Sequence, residues 1–500
     1  MSGPAAFGRL IGAGWTLARN DALLPRELDP LYPPAVRSAA AALHLLAGRE
    51  ARQGRPGERL ARALERLGPV AIKLGQLLST RADIIGTEFA EDLSRLKDRL
   101  APFPTEIARR EVELSLGRTV DSLFETFGEA VAGASLAQAH EARLLDGRRV
   151  AVKVLRPGIA RRVAEDAEVL RLAARLVERW AAPARRLEPR AFAATVIRAT
   201  ELELDLRLEA AGADELGEVM AADGYMAVPK VVWDGVGKRV LTLEWAEGGA
   251  LSSPAALEQA GLDRKALADN LIRAFLAQAL DHGVFHADLH EGNLFAAPPA
   301  RLMAVDFGII GRLGASERRY LAEILWGFLE RDYERVARVH FEAGYVPAGH
   351  SIAAFAQALR AVGEPLFGRA ASQVSMSRVL TQLFEITAIY DMHLRPELVL
   401  LQKTMMTVEG VGRRIYPDHD IWAAAEPVVR RWILRELSPA ARVKRFADEA
   451  AEALRNIARM ARSAEAPPPA PEPRGGGPLL WFALGAVTSG LAYVAAALLR

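Results

Sequence analysis

"GVFHADLHEGNLF" (residues 283–295) sets two histidines, an aspartate and an asparagine in a short apolar frame. His286, Asp288 and His290 alternate, as the ligands of a metal cluster can. Asp288 and Asn293 stand five apart (293 − 288 = 5). At that spacing kinase-type phosphoryl transfer places an aspartate that orients the acceptor and an asparagine that holds Mg²⁺. The rest of the chain decides between these readings.

Phosphoryl transfer needs a second metal-holding aspartate, which normally precedes Phe-Gly. "AVDFG" supplies Asp306, Phe307 and Gly308. The interval from Asp288 (306 − 288 = 18) leaves room for a hairpin, "LFAAPPARLMAV". A lysine in a small-lobe strand is also required, and "VAVKVL" (150–155) presents Lys153 in an otherwise apolar strand. A lone strand lysine usually snorkels to the surface; burying its ammonium is costly unless anions pair with it. Each match alone is weak, but the three in this order on the right element types form a specific signal. The metal cluster loses, because histidine sites usually recruit further ligands elsewhere and no second cluster stands out. His286 is then expected to support the loop from within, with His290 near the phosphates or the surface.

Several parts of a protein kinase are missing. No G-x-G-x-x-G precedes Lys153, and "AGASLAQAH" (132–140) occupies its place. Ala287 stands where His-Arg-Asp has the arginine that docks a phosphorylated activation loop. No Ala-Pro-Glu follows Asp306 within the lobe. Peptide phosphorylation in trans is disfavoured on these grounds.

The chain has 500 residues, too many for one compact core, with 51% hydrophobic residues and a formal net charge of +2. It contains no cysteine, which excludes disulfides, zinc–thiolate sites, iron–sulfur clusters and cysteine nucleophiles and fits a reducing cytoplasm. Nothing marks a nucleic-acid partner. The N-terminus lacks a secretory h-region. There Phe7, Leu10, Ile11, Trp15 and Leu17 could face a bilayer, although a helix packed on the domain is the plainer reading. At the other end "APPPAPEPRGGGP" (466–478) is a linker. The uncharged run from Leu479 to Leu499 follows; at about 1.5 Å per residue it spans roughly 31 Å, enough to cross a bilayer once.

Residues 35–125 read as helices. Three antiparallel strands are expected over 127–155, with Asp146-Gly147 as a hairpin turn. Helix follows to about residue 220. "AVPKVVWD" (227–234) and "RVLTLEW" (239–245) are expected as two further strands, completing a five-stranded sheet, and the remainder is mainly helical. The organisation expected is a helical extension (1–120), a small lobe (121–250), a helical large lobe (251–465), a linker (466–478) and a transmembrane helix (479–499).

These motifs resemble the UbiB/AarF atypical kinase-like family over roughly residues 5–435. "AIKLGQLLSTRADII" is similar to its Lys-x-Gly-Gln signature through Lys73, Gly75 and Gln76. "AGASLAQAH" resembles its Ala-rich nucleotide loop, and "ELELDLRLEAA" its Glu-x-Asp signature through Glu203 and Asp205. "HADLHEGN" resembles its catalytic loop, with Leu289 and Glu291 where the family usually has proline. "KTMMTVEGVGRRIYPDHDIW" (403–422) resembles its large-lobe signature.

The resemblance implies an α+β, protein-kinase-like bilobal fold whose Lys-x-Gly-Gln helix covers the cleft, with Lys73 reaching Glu203 and Asp205. It implies ATP and Mg²⁺. Val131, Ala132, Gly133, Ala134, Ser135, Leu136, Ala137, Gln138 and Ala139 would cover the nucleotide, with adenine at the hinge Glu244–Glu247, Ala246 included. Glu209 would hold Lys153 on the phosphates, Asn293 and Asp306 would hold the metal, and Asp288 would orient the acceptor. It further implies an ATPase of ubiquinone biosynthesis at the bacterial inner membrane, its catalytic part in the cytoplasm. The partners implied are membrane lipid, quinone precursors, other biosynthetic proteins and a second copy of the chain. A pseudokinase scaffold and a kinase acting in trans are the alternatives. Direct hydroxylation would need a flavin or iron cofactor, for which "GAG" (12–14) offers only a poor site.

Overall fold

The computed structural model describes residues 3–23, 53–79, 101–180, 188–364 and 396–436, with shorter pieces between 38 and 48, 85 and 96, and 386 and 392. Met1–Leu434 form one compact unit and Arg435–Arg500 a second. The expected linker and the transmembrane run 479–499 lie outside the described residues. Among those described, no helix is long and apolar enough to cross a membrane.

The N-terminal part is helical: α1 (Gly3–Arg19), α2 (Pro56–Leu67), α3 (Pro69–Ser79) and α4 (Thr87–Ser94). Pro56 opens α2 at a position where a missing N–H costs nothing, and Gly68 ends it with φ 109°. Leu64, Leu93 and Leu96 form a small core that Leu60, Leu74 and Phe89 complete. Gly75 packs so closely there that a Cβ would run into the Leu96 and Leu64 side chains.

Helix α5 (Thr105–Leu116) leads into a meander of β1 (Phe124–Gly133), β2 (Ala137–Leu144) and β3 (Arg149–Leu155), closed by β4 (Val240–Glu244) in the order β1-β2-β3-β4. Strand side chains alternate between faces. Val150, Val152 and Val154 therefore share one face, where they are buried with Val112 of α5, Phe124, Leu144 and Val240. Lys153 is left on the other face. The register pairs Ala132 with Ala139, Ala139 with Lys153, and Lys153 with Leu241.

The expected fifth strand at 227–234 does not form. Pro229 lacks an N–H to give to a ladder, and the segment makes only isolated bridges, Ala227 to Met303 and Val231 to Leu243. It then leaves the sheet through a 3₁₀ turn at Trp233–Gly235. The sheet has four strands.

Helices α6 (Ile159–Trp180), α7 (Pro189–Leu202) and α8 (Leu206–Asp223) fill the interval before β4. Beyond it, β5 (Gly249–Ala250) leads to α9 (Arg264–Ala277). The strand β6 (Val284–His286) pairs with β9 (Ile310–Arg312), and the hairpin β7 (Leu294–Ala297)–β8 (Arg301–Ala304) lies between them in sequence. Helices α10 (Ala315–Leu329), α11 (Tyr333–Glu342), α12 (Ile352–Gly363), α13 (Pro396–Ile415) and α14 (Ile421–Glu436) complete the described chain. Tyr333, Val336, Phe355 and Leu359 centre a second core.

Candidate active site

Lys153 reaches two carboxylates. Its Nζ donates to Glu209 Oε1 at 2.7 Å and Oε2 at 2.9 Å, and to Asp306 Oδ1 at 3.1 Å. Glu209 lies in the first turn of α8, whose N-terminus Asp205 caps by accepting from the Arg207 amide at 3.2 Å. Burial raises the Glu209 carboxyl to about 7, against the opposing pull of Lys153. The charge of Lys153 holds Asp306 well below the usual carboxylate range. Burial would lower the Lys153 ammonium, but Asp306 and Glu209 together raise it above its ordinary value. Asp306 has φ 64°, a left-handed conformation uncommon outside glycine.

His286 is fully buried. Its Nδ1 accepts from the Asp288 amide at 3.1 Å, so the ring proton sits on Nε2, 3.2 Å from the Val305 carbonyl. Burial keeps the ring neutral by lowering its pKa. This histidine therefore shapes the loop and ties it to the residue before Asp306. The His290 ring turns back on its own loop, accepting from the Gly292 amide at 2.9 Å. Asn293 is buried and donates its amide to the Asp288 carbonyl at 3.1 Å. Its side-chain oxygen remains an acceptor. With the half-exposed Asp306 carboxylate it makes a hard, all-oxygen donor pair of the kind Mg²⁺ favours. Among the described residues no group of three or more His, Cys, Asp or Glu could hold a metal ion.

The segment 131–139 is the tip of the β1–β2 hairpin. Ala132 and Ala139 share the face of Lys153, as the register requires. Gln138 lies on the opposite face. It accepts from the Phe103 amide at 2.8 Å, donates to the Phe103 carbonyl at 3.0 Å and meets His140 at 2.8 Å. Leu136 and Ala137 are buried, whereas Val131 is exposed. At the connection to β5, Glu244 pairs with Arg148 at 3.2 Å. Ala246 is buried, and its backbone groups have no protein partner among the described residues.

Lys73, from α3, forms an ion pair with Glu203 at the end of α7. Burial raises the Glu203 carboxyl against the pull of Lys73, and Asp306 and Lys153 are near enough to act on it. Helix α3 is thus tied beside the cleft. Asp205 caps α8 and pairs with Arg207 at 2.6 Å. Gly75 packs into the small core described above, and Gln76 follows it on α3.

Three contacts escaped the residue patterns. Gln278 Oε1 accepts from the His286 amide at 2.9 Å. Thr404, buried in α13, donates to the Ala287 carbonyl at 3.0 Å. Arg414, also on α13, forms an ion pair with Glu291. Thr404 and Arg414 fall within the signature 403–422, but nothing local says where they reach.

The ABC1 atypical kinase-like domain matches residues 95–340, and the UbiB helical domain residues 359–420. Among curated relatives, a protein of Marinobacter nauticus named "Probable protein kinase UbiB" is 40% identical over 393 residues, 78% of this chain and 72% of its own. Proteins of the same name from Pseudomonas entomophila and Xylella fastidiosa are 40% and 41% identical over 411 and 390 residues. Those alignments cover 81% and 77% of this chain and 76% and 71% of theirs. The solved complex of Rv3197 with erythromycin from Mycobacterium tuberculosis superposes with TM-score 0.49 at 24% identity, over 79% of this chain and 97% of that one. The fold is kinase-like and α+β, and the chain belongs to the UbiB family of atypical kinase-like proteins.

Proposed function

We propose that this chain is an atypical kinase-like ATPase that serves ubiquinone synthesis at the bacterial inner membrane, giving access to polyprenyl-phenol intermediates in the bilayer. One observation carries the reading: Lys153 links Glu209 and Asp306 opposite a loop that presents Asp288 and Asn293. ATP would lie beneath the 131–139 hairpin against Ala132 and Ala139, with adenine at 244–247, where Ala246 has uncommitted backbone groups. Lys153, oriented by Glu209, would bind the phosphates. Asn293 and Asp306 would hold Mg²⁺, which when bound neutralises phosphate charge. Asp288 would orient the acceptor, water or a lipid hydroxyl. The run 479–499 would be the anchor, leaving the catalytic part in the cytoplasm.

Phosphorylation of other proteins is disfavoured by the absence of Ala-Pro-Glu after Asp306 within the large lobe and of an arginine at 287. The test compares Mg²⁺-dependent ATP hydrolysis by wild type and Asp288→Asn. Acid–base and orienting groups contribute about 10²- to 10⁴-fold, so a loss within that range is expected with nucleotide binding retained. Equal rates would reject the assignment of Asp288. Quinone profiling of a deletion strain tests the pathway, and unchanged quinone would reject it.

A further inference from the structure

Helix α1 carries an apolar stripe that the described residues leave uncovered. Phe7, Ile11 and Trp15 are spaced four apart, which places them on one helix face, and they are 55%, 60% and 51% exposed. The helix is held by its other side: Ala6 and Ala18 are buried, and α1 packs against α6 and α2. Its rotation is set by Arg9, which pairs with Glu165 at 2.7 Å and Asp166 at 3.1 Å on α6. A Cβ added at Gly8 or Gly12, beside Phe7 and Ile11, would meet no atom within 4 Å. Two further exposed leucines lie near the helix end. Leu23 is exposed there, as is Leu45, next to the His44 that contacts Asp21 at 2.9 Å.

We infer that α1 lies on the bilayer surface, with Phe7, Ile11 and Trp15 entering the interface between anionic headgroups and acyl chains. Contiguous exposed apolar surface of this kind marks an interaction site, and an aromatic-bearing face on a helix held parallel to its support suits an interfacial position. Charge selects the occupant. Gly3–Arg19 contains two arginines and no acidic residue: Arg9 is paired with Glu165 and Asp166, as the almost fully exposed Arg161 of α6 is with Glu165 at 3.6 Å, while Arg19 is exposed at the helix end. Such a surface is attracted to anionic lipid. The inference rests on the membrane anchoring proposed above: a chain tethered through 479–499 holds α1 at high effective concentration near the bilayer. Docking there would orient the extension that carries Lys73.

Because the chain has no cysteine, one introduced cysteine gives a single label. Full-length Ile11→Cys, labelled with an environment-sensitive fluorophore, is assembled into nanodiscs of phosphatidylcholine with phosphatidylglycerol. Doxyl-labelled lipid is the quencher, and Arg338→Cys, exposed on α11, is the control. Co-elution with the nanodisc reads the anchor, and quenching reads α1. The result expected is quenching of about twofold or more at position 11 and none at 338, reduced by Trp15→Glu and in discs of phosphatidylcholine alone. An unquenched probe on a co-eluting chain would overturn the inference and leave the anchor standing. A chain that fails to co-elute would overturn both. A probe shift that depends on protein concentration in lipid-free detergent, without quenching in discs, would assign the stripe to a second copy and also overturn it.

Discussion

Replacing Lys153 by methionine keeps most of the side chain's volume and removes the one cation between Glu209 and Asp306. Breaking a buried pair costs about 3–5 kcal/mol, because a charge is stranded. Here Lys153 is 26% and Asp306 49% exposed, and only Glu209, at 8%, is truly enclosed. Water screening brings the expected loss to about 2–3 kcal/mol at alkaline pH. The sign with pH follows from both carboxylates. Glu209 is raised to about 7, so its protonated form contributes stability below 4.5 that is lost as pH rises through 7. Without Lys153 its value rises further and the loss continues above 7. Asp306 is depressed, so it contributes stability above 3.8 that is lost as pH falls; without Lys153 that contribution disappears. The Asp306 part of the gap is complete well above pH 3.8 and is constant over the neutral range. It is therefore Glu209 that widens the gap between wild type and Lys153→Met as pH rises past 7. Thermal unfolding without nucleotide at pH 5.5 and 8.5 reads it. A kcal/mol moves Tm by about 2 °C or less in a unit this large, so a deficit of about 3–5 °C is expected at pH 8.5 and a smaller one at 5.5. Adding Glu209→Gln removes the stranded charge and should restore about half. Equal melting at pH 8.5, a gap that does not shrink in acid, or no rescue would refute the reasoning.

Thr404→Val preserves shape but leaves the Ala287 carbonyl without its buried donor; a loss of about 1–2 kcal/mol is expected in thermal unfolding, with slower ATP hydrolysis because the loop before Asp288 loosens. Gly248→Ala places a Cβ on the Ala296 carbonyl oxygen at a residue with φ 96°. Strain of about 1–3 kcal/mol should appear as a lowered Tm and weaker nucleotide binding by calorimetry, since Gly248 joins β4 to β5.

The small-lobe sheet was legible because β3 alternates: three valines on one face leave Lys153 on the other, whatever the partner strands. The hairpin 294–304 was legible from its proline-rich turn and the interval it had to fill. "AVPKVVWD" misled because a β-rich run carries no information about whether a neighbouring strand is free to pair along its length, and Pro229 removes a donor in the middle. The nucleotide-loop pattern named Gln138 with its neighbours, yet strand alternation turns its side chain toward Phe103 and His140. Asp205 was grouped with Glu203 as a partner for Lys73, whereas an aspartate directly before a helical run also reads as an N-cap, the role its contact with the Arg207 amide shows. Thr404 and Arg414 lie more than a hundred residues from the loop they hold, beyond any local pattern.

Those two residues bear on the missing arginine. In His-Arg-Asp the central residue projects a cation toward a phosphorylated segment. Here Ala287 is 1% exposed, its carbonyl is taken by Thr404 and its amide by the Ile309 carbonyl. A guanidinium at 287 would have to enter the core, which burial penalises heavily unless an anion pairs with it. The loop is instead braced from below by His286 and Gln278, and from the side by α13 through Thr404 and the Glu291–Arg414 pair. Glu291, one of the two departures from the family's usual prolines, is the anion in that second brace. Leu289, the other, is wholly buried. Those side contacts come from a helix within the stretch matched to the UbiB helical domain. Asp288 and Asn293 are accordingly held in place in the unmodified chain.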